Sequence, residues 1–118
     1  MTLIELLIQY LEDGLYDTGV FVGVEAPEQP FNYVLIDQTG SDTVNHITTT
    51  TVAVQSYGAS LLDALILSDT VKSLMLNFVT ENAISAVRLE TDYNFTDTTT
   101  KQYRWQAVYQ ITHYLGGF

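Results

Sequence analysis

Tyr103-Arg104-Trp105-Gln106-Ala107-Val108-Tyr109-Gln110-Ile111-Thr112-His113-Tyr114 is the stretch on which the fold of this chain turns. Tyr103, Trp105, Ala107, Tyr109 and Ile111 fall on one side of an extended backbone, and Arg104, Gln106, Gln110 and Thr112 on the other. Successive side chains of a strand point to opposite faces, so the pattern predicts a strand with one face on a core and the other partly polar. Before it, Thr96-Asp97-Thr98-Thr99-Thr100-Lys101 reads as a polar connection of hairpin type. Before that again, Ile84 to Phe95 alternates. Val87, Leu89, Thr91, Tyr93 and Phe95 are expected on one side, with Arg88, Glu90, Asp92 and Asn94 on the other. The chain should therefore close in a two-stranded hairpin.

Upstream of Glu81-Asn82, Ala64, Leu67, Val71, Leu74, Met75 and Phe78 recur at helical spacing. Asp69, Ser73, Asn77 and Thr80 lie opposite, which predicts a helix with one face packed and one face wet. Ser60 suits its N-cap and Asp63 its first turn. From Ile47 to Tyr57 four consecutive threonines and a Val-Ala-Val run give a strand, stopped by Gly58, whose register the threonines leave open. Tyr33-Val34-Leu35-Ile36 reads as another strand, ending at a turn over Thr39-Gly40-Ser41-Asp42. Pro27 and Pro30 force a loop after a short strand in Val20 to Val24. Thr2 and Glu5 form a capping box that starts a first helix bearing Leu3, Leu6, Leu7 and Tyr10, with Gly14 as its stop. The expectation is a single α+β domain over residues 1–118. It has a mainly antiparallel sheet of four to five strands and two helices packed on one face.

Composition narrows the function. The chain of 118 residues is 47% apolar and 12% aromatic, enough for one core. Four basic residues against 14 acidic ones give a formal charge of −10. Lys72, Arg88, Lys101 and Arg104 cannot build the basic stripe that phosphate neutralisation needs, so sequence-specific nucleic-acid binding is not expected, nor is attachment to an anionic membrane. Without cysteine there is no disulfide, thiol nucleophile or thiolate metal site. The run Leu3 to Ile8 is broken by Glu5 and reads as a helix rather than a signal peptide.

Sites for chemistry are few. His46 and His113 are the two imidazoles, and neither sits in a zinc-ligand spacing. Ser41, Asp42 and His46 can be grouped on paper as a triad, but neighbours in one loop seldom hold the geometry a triad requires. His113, on the Tyr109 side of its strand, is expected to be a strand-end residue with a satisfied ring nitrogen. Glu90 and Asp92 on one strand face would lie roughly 7 Å apart, a spacing that paired carboxylates use, yet with Arg88 beside them they read more simply as a charged strand row pairing with Arg104 or Lys101. No phosphate-binding glycine motif is present. We expect no enzyme and no cofactor. What remains for contact with other chains is the polar sheet face with its connections: Asp42, His46, Thr49, Thr51, Arg88, Glu90, Asp92, Asp97, Lys101 and Arg104.

The order of segments carries a resemblance. A short N-terminal helix, a proline-bearing loop, Tyr33-Val34-Leu35-Ile36-Asp37, a threonine-rich strand running into Gln55-Ser56-Tyr57-Gly58-Ala59-Ser60, a long helix, and a closing hairpin around Phe95 to Trp105 and Tyr109-Gln110-Ile111 resemble the tail terminator (tail completion) proteins of long-tailed phages. The resemblance covers nearly the whole chain. It implies a structural virion protein of the tail and neck, assembled in the host cytoplasm. Such a protein forms a ring, usually of six copies, on the head-proximal end of the tail tube, where it ends tube polymerisation and joins the tail to the head connector. Its partners would be further copies of itself, the tail tube protein and the connector or stopper protein, with DNA passing through the lumen. Arg104 is the residue the resemblance marks as structurally important, pairing with Glu90, Asp92 or an adjacent subunit.

Overall fold

The structure, a computed structural model, describes residues 2–80 and 84–114. Helix α1 (Leu3–Gly14) is followed by strands β1 (Phe21–Gly23), β2 (Tyr33–Val44) and β3 (Ile47–Tyr57), helix α2 (Leu61–Leu76), and strands β4 (Ile84–Asn94) and β5 (Arg104–Tyr114). The sheet has five strands in the order β1-β2-β3-β5-β4. Every pairing is antiparallel except β1 with β2. The architecture is the expected one, an α+β fold with both helices against one sheet face.

Local chemistry explains the helix starts. Thr2 Oγ1 accepts from the Glu5 amide at 3.1 Å, and the Glu5 carboxylate accepts from the Thr2 amide at 3.1 Å, which closes the capping box. Ser60 Oγ accepts from the Asp63 amide at 3.1 Å and caps α2. Beneath the helices, Leu3, Leu7, Leu11, Val71, Met75 and Phe78 meet Val34, Ile36, Val52, Val54, Ala107, Tyr109 and Ile111 in one core. Tyr10 joins the helices by donating to the Leu74 carbonyl at 2.6 Å. At Gly58 the chain passes so close to α2 that a β-carbon there would lie 2.4 Å from the Ala64 nitrogen. The glycine is required by proximity.

Three expectations are corrected. Thr39 to Asp42 do not turn: β2 runs on to Val44, and the register shift between Gln38 and Gly40 makes Thr39 a bulge. The turn falls on Asn45 and His46, both with positive φ (53° and 66°), in the two-residue form whose twist matches a hairpin. Asparagine tolerates that backbone because its short polar side chain bonds locally. Second, β4 does not alternate throughout. Bulges at Ser85 and Glu90 shift its register, so Val87, Leu89, Asp92 and Asn94 share the helix-covered side while Arg88, Thr91 and Tyr93 share the other. Third, the outer side of α2 is not simply wet. Asp69, Ser73 and Asn77 are exposed there, but so are Leu62, Ile66 and Leu76, at 63%, 55% and 49%. The side chain of Thr80, like Glu81 and Asn82, lies outside the described residues.

Candidate interaction surface

The sheet face without helices is built from alternate residues of four long strands. At the Tyr33 end it is a locked network. The rings of Tyr33 and Tyr57, cross-strand neighbours, stack with centroids 4.3 Å apart. Tyr57 donates its hydroxyl to Gln55 Oε1 at 2.8 Å, Gln55 donates to Gln106 Oε1 at 2.7 Å, and Gln106 donates to the Tyr93 hydroxyl. Gln102 donates to the Tyr33 hydroxyl at 3.0 Å. Burial pushes the Tyr33 phenol up, as does Tyr57, while Gln102 and Arg104 offset part of the rise. The relay crosses from β3 through β5 to β4, so three strands are held in register by side chains as well as by backbone.

Arg104 anchors this network, and its partners are not the expected carboxylates. Its Nε donates to the Phe95 carbonyl at 2.6 Å and its Nη1 to the Tyr57 hydroxyl at 3.2 Å. The guanidinium lies over the Phe95 ring, 4.5 Å from the centroid. Neither Glu90 nor Asp92 pairs with it, because the Glu90 bulge turns Asp92 to the helix-covered side. There Asp92 meets Lys72 of α2 at 2.5 Å, and Lys72 also lies 3.8 Å from Asp69. The expected Glu90–Asp92 row is thus split in two. Glu90 keeps a contact at the strand edge, accepting from Gln110 at 3.3 Å, and Arg88 donates to Gln110 Oε1 at 2.6 Å.

Toward the Asn45 turn the same face is open. Thr49 and Thr51 are half-buried on it, level with Thr112 and Gln110 of β5. Asp42 stands beside Thr49, and beyond it Val44, Ile47 and Tyr114 form one exposed apolar row across three strands. His46 is exposed in the turn. Ser41 and Asp42 are neighbours in an extended strand and face opposite sides, so the paper triad is not assembled. On the helix side of the same strands, Thr50 Oγ1 and His113 Nε2 share a buried hydrogen bond of 3.0 Å, the satisfied strand-end histidine that the alternation predicts.

The β4–β5 connection is self-contained. The Asp97 carboxylate accepts from the amides of Thr99 at 3.0 Å and Thr100 at 3.4 Å, and these bonds hold it below the ordinary carboxylate value. Lys101 completes the turn with φ of 55°. Both line a shallow cleft of about 470 Å³ shared with Pro30, Phe31 and Tyr103. Among the described residues no set of three or more histidine or acidic side chains is grouped for a metal, and no helix is long and apolar enough to cross a membrane.

Sequence reasoning missed Gln55, Tyr57, Gln106 and Tyr93 as members of one network, although Gln55 and Gln106 on two polar strand faces were its one visible trace. It also missed the apolar outer side of α2. No protein-family model matches the chain, and no curated protein matches it.

Proposed function

We propose that this chain is a structural, non-catalytic subunit of a phage tail and neck: a tail terminator whose copies form a ring, taken as six from the resemblance, on the head-proximal end of the tail tube. The observation that carries the reading is how the chemistry-bearing side chains are used. His113 is bonded to Thr50, Asp92 to Lys72, Asp97 to its own loop and Arg104 to Phe95 and Tyr57, so each is engaged in holding the fold. What the molecule presents outward is open strand surface, two sheet edges and apolar side chains on α2, which is material for contact with protein. The charge of −10 fits a channel lining that repels passing DNA.

Deleting the gene from the phage that carries it tests the proposal. Overlong tails are expected from loss of a terminator. Tails of normal length beside unjoined heads would assign the chain to the connector instead, and a complete, infectious particle would refute both.

A further inference from the structure

Both lateral edges of the sheet are unpaired among the described residues. On one side β1 covers β2 only from Tyr33 to Leu35, and Asp37 to Val44, paired inward with β3, continue as exposed strand with no neighbour on the outer side among the described residues. On the other side β4 pairs with β5 alone. Open strand edges of this length are templates for pairing with another chain, and folds that avoid this usually cover or shorten them. Here β2 extends over 12 residues, well beyond the common strand length of about 5–6.

The two edges match one another. Reading across the sheet, Asp42, Thr49, Thr112 and Ala86 share one row, and Gly40, Thr51, Gln110 and Arg88 another, two steps along. Gln38, Val52, Tyr109 and Leu89 share a third, then Asp37, Ala53, Val108 and Thr91 a fourth. The β2 bulge at Thr39 and the β4 bulge at Glu90 lie on opposite sides of the Gln38–Leu89 row, so between the Gly40–Arg88 row and the Asp37–Thr91 row each edge carries one extra residue. A neighbour displaced sideways without slipping would bring like height to like height. Since β2 parallels β5 and β4 opposes it, the neighbour's β4 would meet β2 antiparallel, as a regular ladder needs.

Charge selects the same arrangement. On the helix-free side the β2 edge carries Asp37 and Asp42 flanking Gly40, while the β4 edge carries Arg88 at the height of Gly40. Arg88 forms no ion pair with any described residue. Its guanidinium would enter between two carboxylates of the neighbour. A two-fold β2–β2 joint would instead set Asp37 and Asp42 of one copy against those of the other, which like-charge neighbours on one sheet face disfavour.

We infer that the occupant of the β2 edge over Asp37 to Val44 is β4 of a second copy of this chain, joined antiparallel with Asp42 level with Ala86 and Arg88 between Asp37 and Asp42. Such a joint is head-to-tail, so it generates a closed ring or a filament rather than a dimer. The inference rests on the reading of the chain as a self-assembling subunit and names the surfaces that meet.

The chain has no cysteine, which makes disulfide trapping clean. Asp42→Cys and Ala86→Cys are both at exposed positions, and circular dichroism of each variant confirms that it folds. Oxidised at high concentration, the full-length double variant should give a ladder of covalent multimers on a non-reducing gel. An equimolar mixture of the two single variants should stop at dimers, and each single variant alone should stay monomeric. Dimers from Asp42→Cys alone would replace the joint with a β2–β2 contact and overturn the inference. Absence of a ladder from the double variant overturns it as well, while the tail-length phenotype still decides the function separately.

Discussion

Replacing Arg104 tests whether the helix-free face is a rigid platform. In Arg104→Ala the Phe95 carbonyl loses a 2.6 Å donor, the Tyr57 hydroxyl loses a 3.2 Å donor, and the Phe95 ring loses a cation 4.5 Å above it. Each hydrogen bond contributes a net of about 0.5–1.5 kcal/mol. Stacking of a half-exposed guanidinium on an aromatic ring adds about 0.5–1 kcal/mol. The expected loss is about 2–3 kcal/mol. Arg104→Lys should recover less than half of it, because an ammonium cannot lie flat on Phe95 while donating in two fixed directions. Trp105, the single tryptophan, follows urea unfolding from the adjacent position. With a slope of about 1–3 kcal/mol per molar urea, the midpoint should fall by roughly 1–2 M at unchanged slope. Combining Arg104→Ala with Tyr57→Phe should cost less than the sum of the two, since both remove the same bond. A loss under about 0.5 kcal/mol for Arg104→Ala, or a lysine variant as stable as the parent, would refute the account of an anchor set by geometry rather than by charge.

Gly58→Ala should be severe for a different reason. Relieving the 2.4 Å contact with the Ala64 nitrogen to an ordinary 3.4 Å moves the backbone of α2, and we expect a loss of about 3 kcal/mol by calorimetry or urea titration. Tyr109 has a buried hydroxyl with no hydrogen-bond partner among the described residues, so Tyr109→Phe should raise stability by about 1 kcal/mol. The Tyr109 phenol is pushed up by burial first, then by Asp92 and Asp69. A raised folded value means stability is complete below the unfolded value of 10.0 and is lost as pH rises past it, so thermal melts of Tyr109→Phe should lose less than the parent above pH 10.0. Asp97 has the opposite sign. Its lowered carboxyl stabilises the loop above the unfolded value of 3.8 and ceases to as pH falls through the lower folded value, and Asp97→Asn should remove that acid-dependent part of the melting curve.

The elements written into local sequence were legible. Thr2 with Glu5 and Ser60 with Asp63 announce both helix starts, and the alternation of β5 identifies its core face from Ala107 to Ile111. What escaped depends on partners far along the chain. Leu89-Glu90-Thr91-Asp92 reads as plain alternation, and only Lys72 on α2, waiting under the sheet, gives Asp92 a reason to turn inward and Glu90 a reason to bulge. Gly40 drew the expected turn because glycine favours one, yet Asn45 supplies the positive φ, and the true turn has no glycine to mark it. The apolar outer side of α2 was hidden because leucines occur on both sides of that helix, and Asp69, Ser73, Asn77 and Thr80 defined the expected wet face. Of the candidate contact residues, Asp42, Thr49, Thr51, Arg88 and Arg104 lie on the helix-free face and Asp92 on the opposite one, where its partner is a lysine the strand itself could not reveal.

The strand order also dictates the sequence of events as the chain is made. The last strand, β5, inserts between β3 and β4, so the centre of the sheet is the final part to close. Until it arrives, β3 has one bare edge and Val52 and Val54 lack their Tyr109 and Ala107 neighbours. A strand left waiting in this way is an aggregation hazard during synthesis. The threonines at positions 48 to 51 keep strand propensity high along part of that bare edge while holding its greasiness down. They serve the nascent chain as a safeguard, and in the finished subunit the four divide, Thr48 and Thr50 buried on the helix side and Thr49 and Thr51 on the open face.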